Sequence, residues 1–223
     1  MKNIVVGIDF SESSVNALKH AVATAIRLRV PIHLVWIKTP GTSSELLKGN
    51  DVQTIAEEKL DELLVDVHRE AGDITVQRVI LQGKPYEEIC KYANNLQNPI
   101  IVIGAHGMSG YDKKMIGANT IRIVTMAKCP VLAIRLNTCI NRDLTHIMVP
   151  IDSSFETLQK VRNTVQFAKA FNAKVLLLGT YTSRDPETKH VVNIHLRQAQ
   201  TMCDEALLRY EIMTVSIKDN VCK

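Results

Sequence analysis

Residues Gly104 to Thr120, reading GAHGMSGYDKKMIGANT, combine the residue types and spacing in this chain that could best do chemistry. Three glycines fall at Gly104-x2-Gly107-x9-Gly117, between the apolar run Pro99-Ile-Ile-Val-Ile103 and a helical pattern in which Ile121 and Val124 face one way. Glycine permits positive φ and lets main-chain N–H groups approach a ligand with no Cβ in the way. A helix starting behind such a turn aims its unpaired N–H groups and the positive end of its dipole at the same spot. That arrangement suits phosphate. Turn glycines in an ordinary surface loop would share the spacing, so the motif alone leaves both readings open.

Few other residue sets compete with it. Cys90, Cys129, Cys139, Cys203 and Cys222 show no CxxC pairing and no histidine at ligand spacing, which argues for free thiols and against a metal centre. No Ser/His/Asp set, paired carboxylates or Cys/His couple stands out, so dedicated catalysis is not expected. His106 reads more readily as a loop residue than as a catalytic base. Residues 1–136 carry 16 Lys/Arg against 14 Asp/Glu, and residues 137–223 carry 11 against 9. With the net charge of +4 so evenly spread and only Lys113-Lys114 paired, a nucleic-acid partner is not expected. No apolar run approaches the roughly 18 residues that span a bilayer. The opening MKNIVVGIDF is too short an apolar run for a signal peptide. A cytoplasmic location is the expectation.

The elements that must position the loop alternate in period. Asn3–Ile8 reads as a strand. Ser11 to Arg29 reads as a serine-capped helix with Val15, Leu18, Val22, Ala25 and Ile26 on its apolar face. Ile32–Ile37 is a second strand. Val52 to Val67 is a helix with Ile55, Leu60, Leu63 and Leu64 inward and the acidic Glu57, Glu58, Asp61, Glu62 and Asp66 outward. Ile74–Leu81 is a third strand. Gly83-Lys-Pro85 then opens a short helix whose first turn holds Glu87 and Glu88. Pro99–Gly104 is the fourth strand and Val131–Arg135 the fifth. Such alternation predicts an α/β fold, a parallel sheet covered on both faces.

The second half repeats the first. Ile4–Lys38 aligns without gaps on Ile147–Tyr181 at an offset of 143, with eight identities that include Asp9/Asp152 and Ser11/Ser154. This is a tandem duplication, joined by the polar segment Asn137–Asp143. A helical stretch around Ile194–Leu208 and a strand at Ile212–Ile217 continue it. By the same offset a full second copy would run to about residue 279, so it lacks its fourth strand, glycine loop, last helix and fifth strand. The expected domains are 1–138 and an incomplete 139–223.

The opening Ile4-Val-Val-Gly-Ile-Asp9-Phe-Ser11, the loop Gly104-Ala-His-Gly107-x9-Gly117 and the closing Cys129-Pro-Val-Leu-Ala-Ile134 resemble the universal stress protein family. The resemblance covers the whole first copy and three strands of the second. It implies a five-stranded sheet of order 3-2-1-4-5. In that order the connections reverse between strands one and four, where ligands bind at the strands' carboxyl ends. Asp9 and Gly104 end those two strands.

For function, the resemblance implies a stress-response protein holding an adenine nucleotide. ATP is the first candidate, ADP or AMP the others, with or without magnesium. Residues matching Gly7, Ile8 and Asp9 would contact adenosine, and Trp36 would meet the base through its backbone. Ile103, Gly104, Gly107, Gly117, Ala118 and Asn119 match the positions that hold ribose and phosphates. Asp9 could accept a hydrogen bond from ribose or base, or simply cap the helix at Ser11–Ser14. Ala118 departs from the family, where Ser or Thr commonly meets the terminal phosphate. The second copy cannot build a phosphate loop, so at most one nucleotide should bind per chain. A homodimer through the edge strand Val131–Arg135 is also expected. Alternatives are a nucleotide-free dimerisation or scaffold module and a slow ATP hydrolase.

Overall fold

A computed structural model describes residues 1–39, 52–106, 116–139, 144–182 and 186–217. The chain divides into two compact units, Met1–Ile140 and Asn141–Lys223.

The first unit runs β1 (Asn3–Ile8), α1 (Glu12–Leu28), β2 (Ile32–Lys38), α2 (Val52–Ala71), β3 (Val76–Gln82), α3 (Pro85–Asn94), β4 (Pro99–Gly104), α4 (Ala118–Met126) and β5 (Val131–Ile134). Its sheet is parallel with order β3-β2-β1-β4-β5, as the alternating pattern and the resemblance imply. Successive strand residues point to opposite faces, so each inner strand must be apolar on both. Val5, Val35, Ile101 and Ile103 are buried in one cluster with Ile89, Cys90 and Ala93 of α3 and Ile123 of α4. The alternate residues Ile4, Val6, Leu34, Ile100 and Val102 are also buried, on the face opposite.

Local signals set the helix ends. Ser11 caps α1, its Oγ accepting from the Ser14 N–H at 3.2 Å. Pro85 stands in the first turn of α3, where its missing N–H costs nothing. Gly72, at φ 59°, stops α2 in the left-handed region open to glycine. Ile74 lies before β3 rather than in it, its N–H bonding Ala71 O at 3.3 Å as the chain leaves α2. Arg135 likewise falls just beyond β5.

Two helical faces differ from the sequence reading. Ile26 is exposed, and α1 instead buries Ser13, Ser14, Ala17 and Ala21 beside Leu18, Val22 and Ala25. In α4, Ile121 is 53% and Val124 54% exposed, while Thr120 and Ile123 face the core. The helical period is right and its phase is wrong, because α4 is apolar on both sides.

The second unit runs β6 (His146–Ile151), α5 (Thr157–Phe171), β7 (Lys174–Thr182), α6 (Pro186–Glu205) and β8 (Tyr210–Ile217). Its strands form a parallel sheet of order β6-β7-β8, the same winding as β1-β2-β3. Its core joins Val149, Ile151, Val175 and Leu177 to Val161 and Ala168 of α5 and to Val192, Leu196 and Ala199 of α6.

Candidate functional site

Parallel register brings the carboxyl ends of β1, β2 and β4 to one level. Ile8 pairs with Trp36, and Val6 with Val102, two residues short of Ile8 and Gly104 respectively. Asp9 therefore leaves the sheet beside the point where Gly104 leaves it. This is the reversal between β1 and β4, the crevice at which open α/β sheets take ligands.

Asp9 does not cap α1; Ser11 does. Asp9 Oδ1 accepts from the Ser11 N–H at 3.0 Å and from Ser11 Oγ at 2.5 Å, and the Asp9 N–H donates to Ser14 Oγ at 3.3 Å. Among the described residues Oδ2 accepts no hydrogen bond, so one carboxylate oxygen is open to a ligand hydroxyl. Phe10 follows at φ 63°, a left-handed conformation costly for an aromatic residue. Its ring lies 6.3 Å from that of Trp36 and 5.5 Å from Lys59 Nζ. Trp36 is buried, and its backbone lies in the ladder between Ile8 of β1 and Ile80 of β3.

The other wall is built around Gly104. A Cβ there would lie 2.5 Å from Ser13 Oγ and 2.8 Å from the Ser13 carbonyl carbon, so glycine is required by close approach to α1. Ser13 Oγ accepts from the His106 N–H at 3.3 Å, and Thr120 Oγ1 donates to Gly104 O at 2.9 Å. Ser13, Ser14 and Thr120 thus shape the loop's exit. Spacing had marked the serines only as caps, and nothing local in the sequence shows that Ser13 touches β4.

Gly117 is the N-cap of α4, at φ −63° and ψ 146°, and no side chain among the described residues caps that end. Its N–H bonds Ala105 O at 2.8 Å, which returns the loop's far end to β4. The dihedral is one that any residue adopts, so Gly117 serves by lacking a Cβ rather than by positive φ. Ala118 and Asn119 start α4, are exposed, and carry no acidic neighbour in the first turn. Gly107 lies outside the described residues, as do Lys113 and Lys114. Gly7 and Ile103 lie beneath the crevice; a Cβ on Gly7 would meet Ile89 Cδ1 at 2.9 Å and Ile103 Cγ2 at 3.3 Å.

The second copy closes the corresponding place. Asp152 Oδ1 accepts from Ser154 N–H at 3.0 Å, from Ser154 Oγ and from Thr157 Oγ1, while Lys160 Nζ lies 3.6 Å from Oδ2. Hydrogen bonds from Ser154 and then Thr157 hold this carboxyl well below the usual carboxylate range. By the offset, Thr157 stands where Ser14 does and Lys160 where Ala17 does.

Among the described residues no group of three or more His, Cys, Asp or Glu side chains could hold a metal. No described helix is long and apolar enough to cross a membrane.

The universal stress protein family model matches residues 1–135. A universal stress protein of Methanocaldococcus jannaschii is 27% identical over 139 residues, 60% of this chain and 82% of its own length. One of Mycobacterium tuberculosis is 25% identical over 180 residues, 80% of this chain and 65% of its own. A universal stress protein structure from Archaeoglobus fulgidus superposes with a TM-score of 0.71 at 18% identity, covering 96% of this chain and 77% of that one. Sheet order, crevice and sequence match agree: this chain belongs to the universal stress protein family.

Proposed function

We propose that the first unit binds an adenine nucleotide as a non-enzymatic module of a cytoplasmic stress response, with ATP the first candidate. The observation that carries this reading is the amino end of α4, uncapped among the described residues, which follows β4 at the β1/β4 reversal where Asp9 leaves β1. Backbone N–H groups at Ala118 and Asn119, beside the Cβ-less Gly117, would receive phosphate, and Asp9 Oδ2 would accept from a ribose hydroxyl or the base. The backbone at the carboxyl end of β2, at Trp36, would meet the base. Magnesium, when it accompanies the nucleotide, would be carried chiefly by the phosphates, since Asp9 is the one carboxylate of the wall among the described residues. Catalysis is not part of the proposal.

Ala118 favours a second reading, a nucleotide-free scaffold, because it removes a hydroxyl from the first turn of α4. Isothermal titration with ATP separates the two. Binding near one nucleotide per chain, lost in Gly117→Val, supports the first. Because the Gly117 backbone suits valine, the variant should fold normally and fail only through the added side chain. Unchanged affinity in that variant would sink the site assignment.

A further inference from the structure

The first turns of α3 and α4 meet at a charged cluster beside the Gly117–Asn119 turn. Both helices follow strands of one parallel sheet, so both begin at its carboxyl end. They pack side by side, with Ile89 and Cys90 of α3 and Ile123 of α4 in one buried cluster. Tyr86, in the first turn of α3, is half-buried against that cluster and is thereby fixed. Arg122, next to Ile123, stays exposed and lays its guanidinium over the Tyr86 ring, with Cζ 4.8 Å from the ring centroid.

Stacking orients the guanidinium without occupying its donors. A guanidinium on an aromatic ring uses only the face of its plane, and its five N–H groups point outward from the edge. Among the described residues Arg122 donates no hydrogen bond and enters no ion pair. The neighbouring carboxylate is Glu87, which already accepts from Lys84 Nζ at 3.0 Å. That bond is the main cause that holds the Glu87 carboxyl below its ordinary range, and attraction to Arg122 adds less. Lys84, Glu87 and Arg122 together leave one positive charge in excess.

Helix geometry sets where that charge leans. Ala118 and Arg122 are four residues apart on one face of α4, and helical side chains tilt toward the amino end. Arg122 therefore tilts toward the turn that is uncapped among the described residues and holds no acidic residue. Ala118 is exposed and offers only a methyl, so its side chain neither blocks the guanidinium nor replaces it. A planar fork with free edges matches phosphate oxygens in pairs. Lying one turn along from the N–H groups of Ala118 and Asn119, it suits a phosphate further out than the one they would hold.

We propose that Arg122, held on Tyr86, binds the terminal phosphate of a nucleoside triphosphate and makes the first unit favour ATP over AMP. This assignment rests on the nucleotide site proposed for the first unit and extends it to a residue outside the glycine loop.

Isothermal titration of the full chain in magnesium-free buffer, with ATP and AMP as probes, tests it. Wild type should bind ATP more tightly than AMP. Arg122→Gln, at an exposed position and checked for fold by circular dichroism, should weaken ATP roughly tenfold and leave AMP within about twofold. Arg122→Lys keeps the charge and loses the fork, while Tyr86→Leu keeps the fork and loses its platform. Each should weaken ATP by roughly threefold. An unchanged ratio of ATP to AMP affinity in Arg122→Gln, whether both are retained or both weakened alike, overturns the proposal and leaves the nucleotide site standing. Binding of neither nucleotide by the wild type overturns both.

Discussion

Gly104→Ala should destabilise the first unit by about 2–4 kcal/mol, and the structure says why. The new Cβ would lie 2.5 Å from Ser13 Oγ, 2.8 Å from the Ser13 carbonyl carbon and 2.9 Å from its oxygen. A hydroxyl can rotate away, but a backbone carbonyl moves only if α1 moves. Overpacking of this kind costs about 1–3 kcal/mol. Displacing Ser13 also breaks the bond its Oγ accepts from His106, about 1 kcal/mol more. Trp36 is the chain's one tryptophan and is buried in the first unit, so its fluorescence follows this unit through a urea titration. With a slope of about 2 kcal/mol/M, the midpoint should fall by about 1–2 M. Gly7→Ala is the control, since its Cβ meets only the tips of Ile89 and Ile103, and it should cost about 1 kcal/mol or less. A wild-type midpoint for Gly104→Ala, or a larger loss for Gly7→Ala, would refute the close-approach argument.

Ala118→Ser should tighten triphosphate binding by roughly fivefold, one hydrogen bond's worth, and leave AMP unchanged. Equal effects on both nucleotides in calorimetry would place residue 118 away from the terminal phosphate. His33 is buried between Tyr92 OH at 2.9 Å and Asn3 Oδ1 at 3.1 Å, and burial pushes its pKa below the ordinary 6.5. The unfolded chain then binds the extra proton first, so stability should drop as pH falls through about 6.5 toward the folded value. The urea midpoint of His33→Gln should show a shallower fall over that window, and an unchanged slope would clear His33 of the effect. β5 lies at the edge of the first sheet. Because Ile101 N–H donates to Pro130 O, the N–H groups of alternate residues Val131, Ala133 and Arg135 face outward. Ala133→Pro removes one of those edge donors. If chains dimerise through Val131–Arg135, light scattering should show a wild-type dimer and a monomeric variant.

Much of this fold is legible because β1 and β4 are continuous apolar runs bounded by a polar residue or a glycine. Their ends fall where the sequence puts them, and so does the placement of Asp9 against Gly104 once the strand order is known. Phase is less legible than period. Ile121 and Val124 keep helical spacing, yet the core side of α4 is set by Thr120, whose hydroxyl bonds Gly104 O, and by Ile123. Ser13 is opaque for another reason. Its contact with β4 joins residues 91 apart in sequence, and a serine near a helix start already has a local explanation. At Gly117 the φ is ordinary, so a positive-φ turn is not what glycine serves there.

The contrast between Asp9 and Asp152 makes the two copies unequal in thermodynamic linkage. Asp152 finds Thr157 and Lys160 inside its own unit and needs nothing from solution. Asp9 Oδ2 accepts no hydrogen bond among the described residues and, in the proposed reading, is where a solute binds. A ligand that binds only the folded first unit stabilises that unit by RT ln(1 + [L]/Kd), about 2.7 kcal/mol at a hundredfold excess over Kd, and does nothing for the second. Solute concentration would then set which half of the chain melts first, turning a fixed architecture into one whose weakest point moves with the composition of its surroundings.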